Sequence, residues 1–309
     1  MGRLFEGVEM GVALPQVFSA DALDPTAIIS AARHAEELGF DGLWTQDQVV
    51  GQAPTLEPVT LLSFVAAATA TIRLGASVLV LPHRTPVPLA KSLATLDQLS
   101  RGRLDVGIGI GNPNAHDATF ALAKGERVAR FNDSVETMKA LWSDGPADRP
   151  DGRWPLNATP MEPKPFQRPH PRLWFGGKHI NAMRRAAQHA DAWMGAGSSS
   201  HAEFKENIAK MRSALADAGR SDADFVFGKR LYVAIDDNTS VAQSKVRTWF
   251  DAYYGNPDMG LQVTVIGSKQ QVMDAIGATV ESGAEMLLLA PVFEFERHQD
   301  ILSEALGLQ

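Results

Sequence analysis

The stretch IRLGASVLVLPHRTPVPLAKSLATLDQLSRGRLDVGIGIG, residues 72–111, decides the fold. Leu74 to Leu81 is an uncharged run of apolar and small residues. A run of that length with no polar alternation reads as a strand buried on both faces. Pro86 then stands where a first helical residue tolerates proline. Leu89, Leu93, Leu96 and Leu99 recur along one side of a helix that ends near Ser100. Leu104 to Ile110 is a second buried strand, apolar but for Asp105. Strand, helix and strand in this order form a parallel crossover unit.

The rhythm continues outward in both directions. Upstream, Val8 to Leu14 is a strand, and Asp24-Pro25 opens a helix that carries Ile28, Ala31, Ala35 and Leu38 and ends at Gly39. Gly42 to Thr45 is a second strand and Pro58 to Ala70 an Ala-rich helix. Downstream, Ser134 to Trp142 lies in a helix, and Asp144 to Pro171 breaks the pattern with eight prolines, as an irregular surface excursion would. Alternation then resumes: strands at Leu173–Phe175, Ala192–Met194, Phe225–Ile235 and Met286–Leu289, with helices at Asn181–His189, Ala202–Ala218, Val241–Tyr253 and Ser268–Ser282. About eight such units in 309 residues predict an α/β fold, a (β/α)8 TIM barrel, as a single domain over 1–309 with an insertion around 144–171.

Composition excludes several classes. Hydrophobic residues are 45 % and charged residues 21 %, ordinary for a globular chain. Lys+Arg 29 against Asp+Glu 36 leaves −7, so no overall field draws the chain to nucleic acid or to an anionic membrane. The chain has no cysteine, which excludes disulfides, a thiol nucleophile and Cys-ligated metal. Glu6 and Glu9 interrupt the N-terminal apolar residues, so no signal peptide is expected and a cytoplasmic location follows by default. HExxH, GxxxxGK[ST] and GxSxG are absent. Gly107-Ile108-Gly109-Ile110-Gly111 lacks the dinucleotide spacing. It reads either as a strand end where backbone approaches backbone, or as a barrel-strand terminus open to a flat ligand.

The motifs of residues 72–111, with Glu37–Trp44, Pro163–Gln167, Leu173–Gly177 and Val265–Ser268, make the chain similar to the bacterial luciferase-like monooxygenase family over nearly its whole length. That resemblance implies a (β/α)8 barrel that binds FMN or coenzyme F-420 across its C-terminal mouth. It also implies a small-molecule substrate, a flavin reductase as partner if FMN is used, and a homodimer. The Ala-rich helix is a candidate dimer face, although core packing accounts for it equally well.

Site residues follow from the same resemblance. Asp47 matches an acidic residue after the second strand, and Gln48 stands where histidine is common; an amide orients a ligand but exchanges no proton near neutrality. Ser77-Val78 matches a non-prolyl cis peptide behind the ring. Asn112 matches a ring-edge or ribityl contact. Arg130 matches a phosphate-binding arginine of some FMN relatives, whereas Ile110 replaces a second one. Gly176, Gly177, Lys178 and His179, ahead of a helix, match a phosphate-proximal turn, where helix N–H groups accept an anion. His83, Arg84 and His116, on loops after the third and fourth strands, could face substrate, and His83 is taken as catalytic with Asp47 and Gln48. No metal site is expected. Arg230 reads either as an inward cation that favours an anionic ligand or as an outward salt bridge. His34, His189 and His298 are expected to be structural. Tyr253 to Gly260 reads as a connection that doubles as a lid or is simply a long loop. The reading is an oxidoreductase working by hydride transfer or monooxygenation. The rivals are a barrel that binds a flavin without turnover and a metal-dependent hydrolase, for which clustered ligands are lacking.

Overall fold

A computed structural model describes residues 2–18, 23–112 and 116–309. Eight parallel strands close into a barrel: β1 (Glu9–Ala13), β2 (Gly42–Thr45), β3 (Arg73–Ala76), β4 (Leu104–Gly109), β5 (Arg172–Gly176), β6 (Ala192–Gly195), β7 (Val226–Ile235) and β8 (Met286–Pro291). Each pairs with the next, and the β8–β1 ladder (Met10 opposite Leu287) closes the ring. The helices are α1 (Pro25–Glu37), α2 (Pro58–Ala66), α3 (Pro86–Leu99), α4 (Arg127–Trp142), α5 (Ile180–His189), α6 (His201–Asp217), α7 (Thr239–Tyr254), α8 (Pro257–Val263), α9 (Lys269–Glu281) and α10 (Phe295–Leu306). Their apolar sides bury against the outer faces of the strands, as the leucine spacing of α3 predicts: Leu89, Leu93 and Leu96 are buried, while Leu99 is exposed. Among the described residues no helix is long and apolar enough to cross a membrane.

Two indoles fill the barrel interior. Trp44 and Trp174 meet edge to face at 5.5 Å. The strands around Trp44 carry Gly11, Gly42 and Gly75, where a Cβ would fall within 3.0 Å of its ring. At the N-terminal end Asp105 is buried between Arg73 and Arg172, both at 2.7 Å, and accepts from the Trp174 indole N–H. Burial works against its charge, but Arg172 and Arg73 hold the carboxyl below its usual range. This cluster plugs the floor of the barrel and leaves the other end for chemistry.

Three sequence expectations need correction. The run 74–81 is not one strand. β3 ends at Ala76, and Leu79–Val80 resumes pairing with β4 one residue out of register: Leu74 faces Leu104, whereas Leu79 faces Ile108. The Ser77–Val78 peptide lies in the gap and is cis. The insertion after α4 is not wholly irregular, because Ala147–Arg149 and Leu156–Thr159 pair as an antiparallel ribbon and the buried Lys164 donates to the Leu141 and Gly145 carbonyls. Tyr253 to Gly260 is no loop: α7 runs through Tyr254, Gly255 closes it at φ +64, and α8 begins two residues later. In addition, Thr264–Gly267, not read as a strand from the sequence, is a further parallel strand on the edge of β7.

Candidate active site

The C-terminal ends of the strands surround a cavity of about 750 Å³, within the range that holds cofactors and drug-sized ligands. One wall comes from the segments after β3, β4 and β5. The peptide at Ser77–Val78 faces the cavity, and the strand ends beside it carry glycine for a steric reason. A Cβ on Gly109 would lie 2.7 Å from Val78 Cγ2, one on Gly176 would lie 3.0 Å from Val78 Cγ1, and one on Gly107 would lie 1.8 Å from the Ala76 carbonyl oxygen. The first reading of Gly107–Gly111, close backbone approach, therefore accounts for Gly107 and Gly109. Gly109, Ile110, Gly111 and Asn112 also line the cavity, so the same strand end opens into it.

Asp47 holds this wall in place. The Asp47 side chain is fully enclosed; it accepts from the Val80 N–H at 2.8 Å and from Nε and Nη2 along one edge of the Arg84 guanidinium. Its oxygens are spent on fixing the segment after the cis peptide, which makes Asp47 a positioning residue. Gln48 donates to the Tyr253 carbonyl and accepts from Thr55, so its amide is oriented toward the cavity rim. His83 stacks on Phe120 at 4.2 Å with its Nε2 3.2 Å from Asp117. Burial, reinforced by Arg127, draws the His83 imidazole below the ordinary histidine value despite Asp117. Arg127, not singled out by the sequence, donates to the Ile110 carbonyl and to Asp117 and so braces the floor of the β4 loop.

Gly176, Gly177, Lys178 and His179 line the cavity next to α5. The helix N-terminus is partly satisfied from within: His179 Nδ1 accepts from the Asn181 N–H at 3.1 Å. That bond places the proton of the neutral ring on Nε2, which leaves a donor for a ligand. Lys178 is exposed and 3.9 Å from Glu203. Arg130 does not join them. It is buried in α4, donates to the Phe120 and Ala121 carbonyls and lies 5.9 Å from the centre of the Trp154 ring. Its role is to hold the turn that carries Phe120. His34 and His189 sit outside the cavity beside Asp300 and Glu136, and His298 accepts a backbone hydrogen bond there.

The opposite wall was the less visible one. Along β7, Gly228, Arg230 and Tyr232 point inward, and Lys229 points outward. Lys229 is buried; it donates to the carbonyls of Ala196 (2.5 Å) and Ser199 (2.8 Å) and to the Ser199 hydroxyl (2.6 Å), pinning the loop after β6 that borders the cavity. Burial pulls this ammonium down to about 7. Tyr232 shares a 2.8 Å hydrogen bond with Tyr254, and Tyr253 stacks on Trp249 at 5.1 Å. A buried Lys-Arg pair in an otherwise apolar strand was the signal available in the sequence. Its direction depends on register, which the sequence did not supply.

A glycine-backed wall thus faces an aromatic one across the barrel mouth. The chain belongs to the luciferase-like monooxygenase family, whose profile matches residues 8–286. Among curated relatives, the phthiodiolone/phenolphthiodiolone dimycocerosates ketoreductase of Mycobacterium sp. (strain JLS) is 29 % identical over 182 residues, 58 % of this chain and 48 % of that protein. The chain thus spans about half the length of that relative. The F-420-dependent glucose-6-phosphate dehydrogenase of Kineococcus radiotolerans is 28 % identical over 242 residues, covering 75 % of this chain and 70 % of that one. The solved structure of an F-420-dependent secondary alcohol dehydrogenase superposes with a TM-score of 0.84 over 97 % of this chain and 98 % of that one, at 19 % identity, and shows the shared barrel fold.

Proposed function

We propose that this chain is an oxidoreductase that uses coenzyme F-420 to exchange a hydride with a carbonyl or alcohol carbon of a small organic substrate. The observation that carries the choice of cofactor is the composition of the tail wall. The resemblance pairs FMN phosphate with arginines, but Ile110 fills one such position and the Arg130 guanidinium is committed to the Phe120 and Ala121 carbonyls. The wall instead offers Lys178, the His179 Nε2–H and backbone N–H groups beside Gly177, donors spread along a path that suits an extended anionic tail. The glucose-6-phosphate dehydrogenase relative named as F-420-dependent supports the same choice.

The residues present fit such a group: the backbone at Gly109 and Gly176 is bare of side chains, and Val78 gives a flat apolar seat. A bound deazaflavin supplies the hydride chemistry. Asp47 and Arg84 keep the Ser77–Val78 segment in position. Gln48 orients a substrate oxygen, and His83 is the candidate to carry the proton that accompanies hydride transfer. Tyr253, whose hydroxyl burial holds protonated well above its ordinary range, is a donor of hydrogen bonds rather than a base. The test is a side-by-side titration of the chain with F-420 and with FMN, followed by fluorescence. Micromolar or tighter F-420 binding with FMN at least tenfold weaker supports the reading. FMN binding alone overturns it, and F-420 binding with no oxidation or reduction across alcohols and ketones favours a non-catalytic carrier.

A further inference from the structure

Arg230 stands apart from the other enclosed arginines of the described residues because tyrosines, rather than carbonyls or carboxylates, surround its guanidinium. Arg103 gives its N–H groups to Ser100, Ala66, Thr69 and Ile72. Arg127 has Asp117, the partly buried Arg172 has Glu9 and Asp105, and Arg130 has two carbonyls, although its Nε too lacks a partner. Arg230 is 8 % exposed, lines the cavity, and has a buried Nε with no hydrogen-bond partner. The titratable groups around it are the tyrosines Tyr232, Tyr253 and Tyr254, with the Tyr232 hydroxyl as its side-chain hydrogen-bond partner and no carboxylate among them, and its guanidinium carbon lies 5.4 Å from the centre of the Tyr232 ring. A second cleft of about 20 Å³ on its other side has room for roughly one water. A water can satisfy one N–H but leaves the charge uncompensated. Burying a cation without a counter-charge is costly, so a site that retains one has a use for it.

Topology says which ligand would meet it. In an eight-stranded ring, β7 stands four strands from β3, directly across the mouth from Ser77–Val78. A ring seated on Val78 presents its free face to the β7 wall, where substrate must lie. The geometry points to an anionic substrate: a small organic acid whose carboxylate is held by Arg230 while its apolar body packs on Tyr232, Tyr253 and Met259. The planar guanidinium favours an oxyanion that can take two parallel hydrogen bonds. Bound this way, the acid supplies the missing counter-charge, and the remainder of the molecule reaches back toward the opposite wall. The substrate class rests on the proposed orientation of the cofactor ring; the anion site on Arg230 does not.

The experiment uses paired probes: acetate, hexanoate and phenylacetate, each beside its neutral amide. Binding is followed by tryptophan fluorescence in the cofactor-free chain, because Trp249 packs on Tyr232 and Tyr254, each at 6.0 Å. It is then repeated with F-420 bound. At least one acid should bind about tenfold tighter than its amide, R230Q should erase that ratio, and R230K should retain part of it. Absence of any acid preference in the native chain overturns the proposal, as does its persistence in R230Q. Weakened F-420 binding in R230Q with an unchanged acid-to-amide ratio assigns Arg230 to the cofactor tail and also overturns it. Failure of F-420 to bind, with the acid preference intact in the cofactor-free chain, removes the proposed cofactor but leaves the anion site.

Discussion

The seat at Val78 can be probed by adding one methyl group. In Gly109→Ala the new Cβ would stand 2.7 Å from Val78 Cγ2. Carbon–carbon contacts are comfortable from about 3.5 Å, so something must yield by about 0.8 Å. The strand cannot move, because Ile108 and Gly109 are paired with Leu79 and Val80. Val78 must move instead, and a β-branched side chain has few alternative rotamers. Overpacking of this kind costs about 1–3 kcal/mol. If Val78 is the obstacle, removing its methyls relieves the clash, so Gly109→Ala should cost clearly less in a Val78→Ala background. The four proteins of this double-mutant cycle are compared by urea denaturation, and a coupling of about 0.5–3 kcal/mol is expected. Gly107→Ala is the control: its Cβ would fall 1.8 Å from a backbone oxygen, and Val78→Ala should not rescue it. Equal cost of Gly109→Ala in both backgrounds would refute the steric account of the glycine-rich strand end.

Three further outcomes follow from the same geometry. Asp47→Ala leaves the Val80 N–H unpaired and Arg84 with Glu57 alone, so thermal denaturation should show a loss of about 3–5 kcal/mol, with Asp47→Asn less severe. His83→Gln should lower turnover by about 10²-fold or more while F-420 affinity changes little; a drop in affinity with turnover retained would argue against the proton-carrying role. His298 is fully buried, its Nε2 accepts from the Ile235 N–H at 3.0 Å, and burial lowers its pKa from the ordinary 6.5. The unfolded chain therefore takes up a proton more readily, so this contribution to stability is complete above about pH 6.5 and is lost as pH falls through the lowered native value. Melting temperatures from pH 8 to 5 should decline in that window, and His298→Gln should flatten the decline.

Much of the barrel was legible because its strands are buried on both faces and its helices carry apolar stripes, two patterns with different periods. What the sequence hid depends on neighbours. The run from Leu74 to Leu81 looks continuous, and only the one-residue register shift against β4 reveals the break at Ser77–Val78. Thr264–Gly267 is too short to announce a strand without β7 beside it. That Asp47 and Gly176–His179 border the cavity could be placed by resemblance, because those residues sit at strand ends in matching motifs. Arg130 shows the limit of that approach: the position matches, but the side chain turns to the Phe120 and Ala121 carbonyls of the preceding turn. Arg230 was open to two readings because an in-or-out assignment on a strand needs the pleat, which Gly228 against Trp174 fixes.

The central claim is that a planar redox cofactor lies against the Ser77–Val78 peptide with its anionic tail at Gly176–His179. A crystal structure of the chain grown with F-420 tests it most directly. The account predicts the ring face on Val78, the tail within hydrogen-bonding distance of Lys178 or His179 Nε2, and open space between the ring and Arg230. A ring seated elsewhere, or a tail directed to Arg230, would contradict it.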